Sequence, residues 1–456
     1  MAAYSEQLDQ QRRYFSSGAT RPVSFRKTQL KTLRQLLIDH EKQLIEAVHA
    51  DFKKPPFETY GTEIGIVRTE LGYALKHLEE WVKPQTVSST LVNFPSKNYI
   101  ITEPYGNALI IAPWNYPVQL ALLPLVGAIS AGNTALVKPS ELTPATSEVL
   151  KQLIGHYFDP SYIHVELGGV ETSQALLNLP FNYIFFTGST RVGKLVMKAA
   201  AEHLTPLTLE LGGKSPCIID ETANLEITAK RIVWGKFVNA GQTCVAPDYL
   251  LVHRSVKDRL VQQLILAIEA LYGTDPSLSP DYPRIVNQGH FDRLAALIDP
   301  EKVVIGGHTK ADECYIAPTV LDHVTWDDRV MEDEIFGPIL PVMSYEQLDE
   351  CIQMVNAQPR PLALYVFSND SRTQDRLTEE ISFGGGAIND TIAQLGNHHL
   401  GFGGVGASGF GSYHGKASFD SFSHRKSVMK KPFWPDVPVR YAPYEGKMGI
   451  IKSIMK

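Results

Sequence analysis

A chain of 456 residues is long enough for two or three domains around a large core. Its 44% hydrophobic and 20% charged residues are those of a soluble globular protein. A formal charge of −6, with no long Lys/Arg run, argues against nucleic acid as a partner, because clustered cations are what hold phosphates. The four scattered cysteines, Cys217, Cys244, Cys314 and Cys351, make neither a disulfide framework nor a Cys-x-x-Cys zinc pair. No metal is expected, and reduced thiols point to a cytoplasmic protein.

Met1 to Gly18 is polar and lacks the apolar core of a signal peptide. In 24–50, Leu30, Leu33, Leu37, Leu44, Ile45 and Val48 recur at helical spacing; in 63–82, Ile66, Leu71, Leu75, Leu78 and Trp81 do the same. After Pro84, Ser, Thr and alternating apolar residues predict extended strands outside the main core up to Thr102. Short apolar runs then alternate with helical stretches: Ala108–Ala112, Ala135–Val137, Tyr183–Phe186 and Leu207–Leu211. That alternation predicts a parallel sheet covered on both faces.

Pro117 to Gly132 falls short of the ~20 apolar residues of a membrane span and reads as a buried helix. A second series, Cys217–Ile219, Tyr249–Val252, Leu340–Met343 and Leu364–Phe367, predicts a second α/β domain beginning near Gly212-Gly213. Pro432, Pro435, Pro438 and Pro443 make the stretch from Lys430 to Glu445 an extended arm rather than a helix.

The strand Asn182–Phe186 runs directly into Thr187-Gly188-Ser189-Thr190-Arg191-Val192-Gly193-Lys194, and a helical stretch follows. Strand, glycine turn and helix together offer backbone N–H groups and a positive dipole end to phosphate. An ordinary glycine turn before a helix is an equal reading of this segment. Leu195 stands where a P-loop needs Ser or Thr, which disfavours ATP hydrolysis. The full Gly-x-Gly-x-x-Gly of the chain, Gly404 to Gly409, lacks a preceding strand and reads as a loop. Lys138 and Glu141 stand three residues apart at a strand end, where they suit ribose hydroxyls or simply a solvated loop capped by Ser140 or Thr143.

Cys244 follows polar Asn239, Gln242 and Thr243 and the glycine at 241, as in a turn that presents a thiol. The other three cysteines read as small buried hydrophobes. Glu210, flanked by leucines and followed by Gly212-Gly213, should be partly desolvated and so a stronger base near neutrality, though a strand-end carboxylate paired with a lysine fits as well. Asn115 lies between Pro113 and Pro117, a rigid setting for an amide donor. Glu334, in Glu332–Pro338, reads alone as a solvated surface turn.

Taken in this order and spacing, Pro113–Pro117, Val137–Glu141, Phe186–Lys194, Glu210–Pro216, Gly241–Val245 and Glu334–Pro338 resemble the aldehyde dehydrogenase superfamily over nearly the whole chain. Cys244–Tyr249 and the tail Arg440–Tyr444 are similar to its class 3 subgroup of fatty and aromatic aldehyde dehydrogenases. The resemblance implies an α/β aldehyde dehydrogenase-like fold: two parallel-sheet domains and a small β bridging element for oligomerisation. It places the NAD(P)-binding domain at 1–82 and 105–211, the catalytic domain at 212–425, and the bridging element at 83–104 and 426–456. It implies Cys244 as nucleophile, Glu210 as base for the deacylating water, and Asn115 with the Cys244 N–H around the oxyanion. Trp114, Lys138, Glu141, Gly188, Ser189, Gly193, Glu334 and Phe336 would hold NAD, with NADP possible.

The reaction implied is oxidation of a small-molecule aldehyde to its acid through a thiohemiacetal and a thioester. Trp114, Tyr116, Thr391 and Ile392 lean the substrate toward medium- or long-chain aliphatic or aromatic aldehydes. A homodimer without a membrane span is expected, since the final segment Gly449–Lys456 is too short to cross a bilayer. Three rival readings fit the residues less well. A CoA-acylating enzyme generally lacks the carboxylate at position 210. A cysteine hydrolase using His398 or His399 would leave the glycine turn without a role, and a scaffold protein would not need Cys244, Glu210 and Asn115 intact.

Overall fold

A strand apolar on both faces must be covered twice. Every residue of Asn107–Ile111, Thr134–Lys138 and Tyr183–Thr187 is buried. A computed structural model, which describes residues 2–455, places them at the centre of a six-stranded sheet. Its order is Gly409–Phe410, Leu207–Glu210, Tyr183–Thr187, Asn107–Ile111, Thr134–Lys138, Ile163–Val165. All neighbours run parallel except the edge pair Gly409–Phe410 with Leu207–Glu210. The helix Gln119–Ala131 is buried along its whole length and ends at left-handed Gly132 (φ 94°). Burying each of its leucines contributes about 1.5–3 kcal/mol.

Beyond Gly212-Gly213 the chain enters a seven-stranded sheet: Val303–Ile305, Thr319–Leu321, Ile339–Tyr345, Tyr249–His253, Pro216–Ile219, Ala363–Phe367, Gly385–Ile388. Here only the Val303–Ile305 edge is antiparallel. The strands expected after Pro84 are Gln85–Val87 and Lys97–Pro104, and they make a separate three-stranded sheet with Ser423–Lys430.

The helical spacing of 24–50 corresponds to two helices, Val23–Asp39 and Glu41–Phe52, with His40 between them. Three local expectations differ from the structure. Neither Ser140 nor Thr143 caps the helix Pro144–Tyr157; the carboxylate of Asp51 instead accepts from Ala145 N and Thr146 N, each at 2.9 Å. The C-terminal arm is interrupted by a 3₁₀ turn at Pro438–Arg440 and is followed by the helix Met448–Ile454. The chain also leaves the second sheet well before residue 425. Gly409–Phe410 already pairs with Leu207–Glu210, and the third-sheet strand begins at Ser423.

Candidate active site

Glu210 ends its strand beside the nucleotide turn, its backbone registered with Thr187 on one side and Gly409 on the other. Its side chain is buried and neither carboxyl oxygen has a hydrogen-bond partner. Desolvation holds its pKa well above the usual carboxylate range, and no lysine pairs with it. Cys244 is half-buried at the end of a turn in which Asn239, Ala240 and Gly241 all have positive φ (55°, 51° and 73°). Burial raises its thiol pKa; the charges of Glu334 and Glu210 raise it further, while the backbone N–H groups of Cys244 and Val245 draw it down. Cys217 and Cys351 are buried, as expected of small hydrophobes, whereas Cys314 is only half-buried.

Asn115 is brought to the same turn. Its amide Nδ2 donates to Gln242 O at 3.0 Å and its carbonyl accepts from Asn239 Nδ2 at 2.8 Å. One amide hydrogen of Asn115 is thereby left over for another acceptor. Tyr116 and Thr243 join their hydroxyls at 2.6 Å. Thr391 is buried and donates to Arg231 O, and Ile392 is buried at φ 47°.

The loop after Asp333 closes the other side. Glu334 rests against Gly212, where an added Cβ would lie 1.9 Å from Oε2, and accepts from the Gly213 N–H. Burial, with Asp248 adding to it, raises the Glu334 carboxyl to about 8. Phe336, at φ 52°, meets the Trp114 ring edge-on at 5.4 Å.

The residues expected to hold a nucleotide lie at the carboxyl edge of the six-stranded sheet, where open α/β sheets bind cofactors. Ser189 caps the helix Thr190–Ala201 by accepting from Val192 N. The N–H groups of Gly188 and Gly193 are not free donors, because they bind Glu210 O (3.0 Å) and Ser189 O (2.9 Å). These glycines act by lacking side chains: a Cβ at 188 would meet the Phe186 ring at 2.6 Å, and at 193 the Leu211 side chain at 2.6 Å. Lys138 is buried with its ammonium 2.7 Å from the exposed Glu141 carboxylate. Thr187 Oγ1 is buried without a partner at the strand end. A capped helix terminus, an orphaned hydroxyl, a strand-end Lys–Glu pair and a wall of Trp114 and Phe336 suit a dinucleotide.

Other groups were not visible in the sequence. The loop holding Gly404 to Gly409 lies against the nucleotide turn, with Thr190 Oγ1 donating to Ala407 O at 3.2 Å and Leu211 N to Ser408 O at 3.1 Å. Lys54 and Glu63 form a fully buried ion pair at 2.8 Å, and Lys236 is buried with its ammonium unpartnered. Burial inverts the usual meaning of a charged residue on a helix, and no spacing signals it. His398 and His399 pack on Tyr73, with ring centroids 4.0 and 5.3 Å away.

Comparison with known proteins agrees with this geometry. A profile described as "Aldehyde dehydrogenase family" matches residues 2–428. The chain is 52% identical to the 4,4'-diaponeurosporen-aldehyde dehydrogenase of Staphylococcus aureus (strain NCTC 8325 / PS 47), over 97% of each chain. It is 44% identical to the "Aldehyde dehydrogenase, dimeric NADP-preferring" of Canis lupus familiaris, over 98% of this chain and 99% of the other. A solved structure of Staphylococcus aureus AldH in a substrate-bound state superposes with a TM-score of 0.97 at 51% identity, covering 99% of each chain. The chain therefore belongs to the aldehyde dehydrogenase family and is an oxidoreductase that oxidises aldehydes with NAD or NADP.

Proposed function

We propose that Cys244 is the nucleophile, Asn115 the oxyanion donor and Glu210 the base that completes aldehyde oxidation. The observation that carries this reading is a buried, unpartnered Glu210 carboxyl whose charge reaches the thiol of Cys244. The Cys244 sulfur attacks the carbonyl carbon and forms a thiohemiacetal. The developing oxyanion is held by the remaining Asn115 amide hydrogen and the Cys244 N–H, each such donor contributing about 3 kcal/mol. Bound NAD or NADP supplies the hydride acceptor that turns this adduct into a thioester. Glu210 then takes a proton from water as it attacks the thioester, releasing the acid and the free thiol.

Lys138 and Glu141 suit the ribose end of the cofactor, Ser189 with Gly188 and Gly193 its diphosphate, and Trp114, Glu334 and Phe336 its nicotinamide end. Tyr116, Thr391 and Ile392 lean the substrate toward medium- or long-chain aliphatic or aromatic aldehydes. The name of the Staphylococcus relative, a 4,4'-diaponeurosporen-aldehyde dehydrogenase, supports an aldehyde substrate. A homodimer is supported by the word "dimeric" in the canine relative's name and by the eight-residue edge strand Ser423–Lys430, which has one neighbour among the described residues. The division into a cofactor domain, a catalytic domain from 212 and a bridging element is retained, with the return to the first sheet at 409. Among the described residues no helix is long and apolar enough to cross a membrane; the free cysteines support a cytoplasmic setting.

Replacing Cys244 by Ala should abolish NAD(P)H formation from any aldehyde while cofactor binding persists. Turnover within about tenfold of the parent enzyme would reject the nucleophile.

A further inference from the structure

The proposed chemistry leaves a set of buried charges unused. Lys54 and Glu63 pair at 2.8 Å with both side chains fully buried, an arrangement that costs desolvation and needs further contacts to offset it. Glu63 uses its second oxygen to accept from Val118 N (2.8 Å) and Gln119 N (3.4 Å), fixing the chain immediately after Asn115. The Lys54 ammonium sits 4.0 Å from the centre of the Tyr116 ring, whose hydroxyl binds Thr243.

Glu58, on the short helix Pro56–Thr59, reaches the opposite side of the thiol turn and accepts from Asn239 N at 3.0 Å. Asn239 is the first of the three left-handed residues, a conformation that costs of order 1–3 kcal/mol at each non-glycine position and persists only where surrounding contacts over-determine it. Its amide in turn donates to Asn115 O (2.8 Å) and Gln242 O (3.1 Å). A carboxylate on a backbone N–H is a charge-assisted hydrogen bond, about twice as strong as a neutral one.

We propose that Glu58 is a positioning residue for aldehyde oxidation, holding the Asn239 N–H and with it the strained turn that sets Cys244 against the Asn115 amide. This rests on the roles given to Cys244 and Asn115 above. Protonation converts the acceptor carboxylate to a neutral group and weakens the hold on the turn. The groups facing Glu58 are Lys54, whose charge favours its ionised form, Asp281, which opposes it, and the un-ionised Tyr116, Tyr272 and Tyr282. Burial outweighs Lys54 and raises Glu58 to about 7. The ionised, turn-holding form is therefore populated above neutrality and lost as pH falls through that value.

The test compares Glu58→Gln and Glu58→Ala with the parent enzyme from about pH 6 to about pH 9, measuring kcat/KM and the pre-steady-state acylation and deacylation rates. Gln keeps an acceptor for Asn239 N but does not titrate. It should hold the alkaline plateau within about threefold and lose the acid limb near neutrality. Ala should lower kcat/KM on the plateau by about tenfold or more, slowing acylation and deacylation alike, since both pass through an oxyanion and a misplaced oxyanion donor costs part of its 10²–10³. An acid limb unchanged in Glu58→Gln, or a wild-type acylation rate in Glu58→Ala, would overturn the proposal. A poorly folded Ala variant leaves the Gln profile decisive. Cys244→Ala run alongside separates the two claims: inactive Cys244→Ala with wild-type-like Glu58 variants sinks the positioning role alone, whereas active Cys244→Ala sinks both.

Discussion

Glu141 shows how a single exposed charge can bias a cofactor site. It stands at the carboxyl end of the strand Thr134–Lys138, held by Lys138 at 2.7 Å. In the ribose-binding role proposed for it, this carboxylate would pair with ribose hydroxyls and repel a 2′-phosphate. Replacing Glu141 by Gln should raise the kcat/KM ratio for NADP over NAD by about five- to tenfold, the effect of roughly 1 kcal/mol of charge repulsion near a surface. An unchanged or lower ratio would remove Glu141 from the ribose site. At this scale Cys244, Glu210 and Asn115 stand out in the sequence by flanking glycines, leucines and prolines; Asn115 is bonded to the turn that carries Cys244, and the charge of Glu210 acts on its thiol. Lys54, Glu63 and Lys236 do not stand out, because a charged side chain reads as solvated until packing buries it, nor does Glu58, whose contact with Asn239 spans 181 positions.

At the scale of elements, the turn Val238–Gly241 is what converts a helix end into a presented thiol. Gly241 has φ 73°, and a Cβ added there would lie 2.3 Å from Gly337 O and 3.0 Å from Lys236 O. The turn thus lies against the Glu334 loop and the helix Leu225–Phe237 with no room for a side chain. Gly241→Ala should therefore displace Cys244, lowering the acylation rate by about 100-fold, the loss expected for a 1 Å misplacement of a reacting group. A variant with parent acylation kinetics would show that the turn tolerates the methyl group. The strand–turn–helix at 183–201 was legible from its apolar run and glycines. Which N–H groups it leaves free was not, because Gly188 and Gly193 spend theirs on Glu210 and Ser189, contacts set by neighbouring strand and helix geometry. The cap of Pro144–Tyr157 was misread for a similar reason: Asp51 supplies it from a separate helix.

For the molecule as a whole, two parallel sheets meet where the chain passes from Glu210 to Pro216, so the proposed base ends one sheet while the thiol turn precedes Tyr249–His253 of the other. The two larger sheets followed from alternating apolar runs and the strands after Pro84 from their texture, whereas the strand Ser423–Lys430 beside them and the return of Gly409–Phe410 to the first sheet did not, the latter because two residues carry no period. That return closes the cofactor sheet against Glu210 and makes the site depend on residues 200 positions apart in sequence, Glu210 and Phe410. The most direct measurement on the central claim is an intact-mass and peptide-mapping experiment on Glu210→Gln mixed with NAD and a medium-chain aldehyde. An acyl group should accumulate on the peptide carrying Cys244 while steady-state turnover falls by about 10²-fold or more, the scale of a lost general base. An unmodified Cys244 peptide together with undiminished turnover would contradict the account.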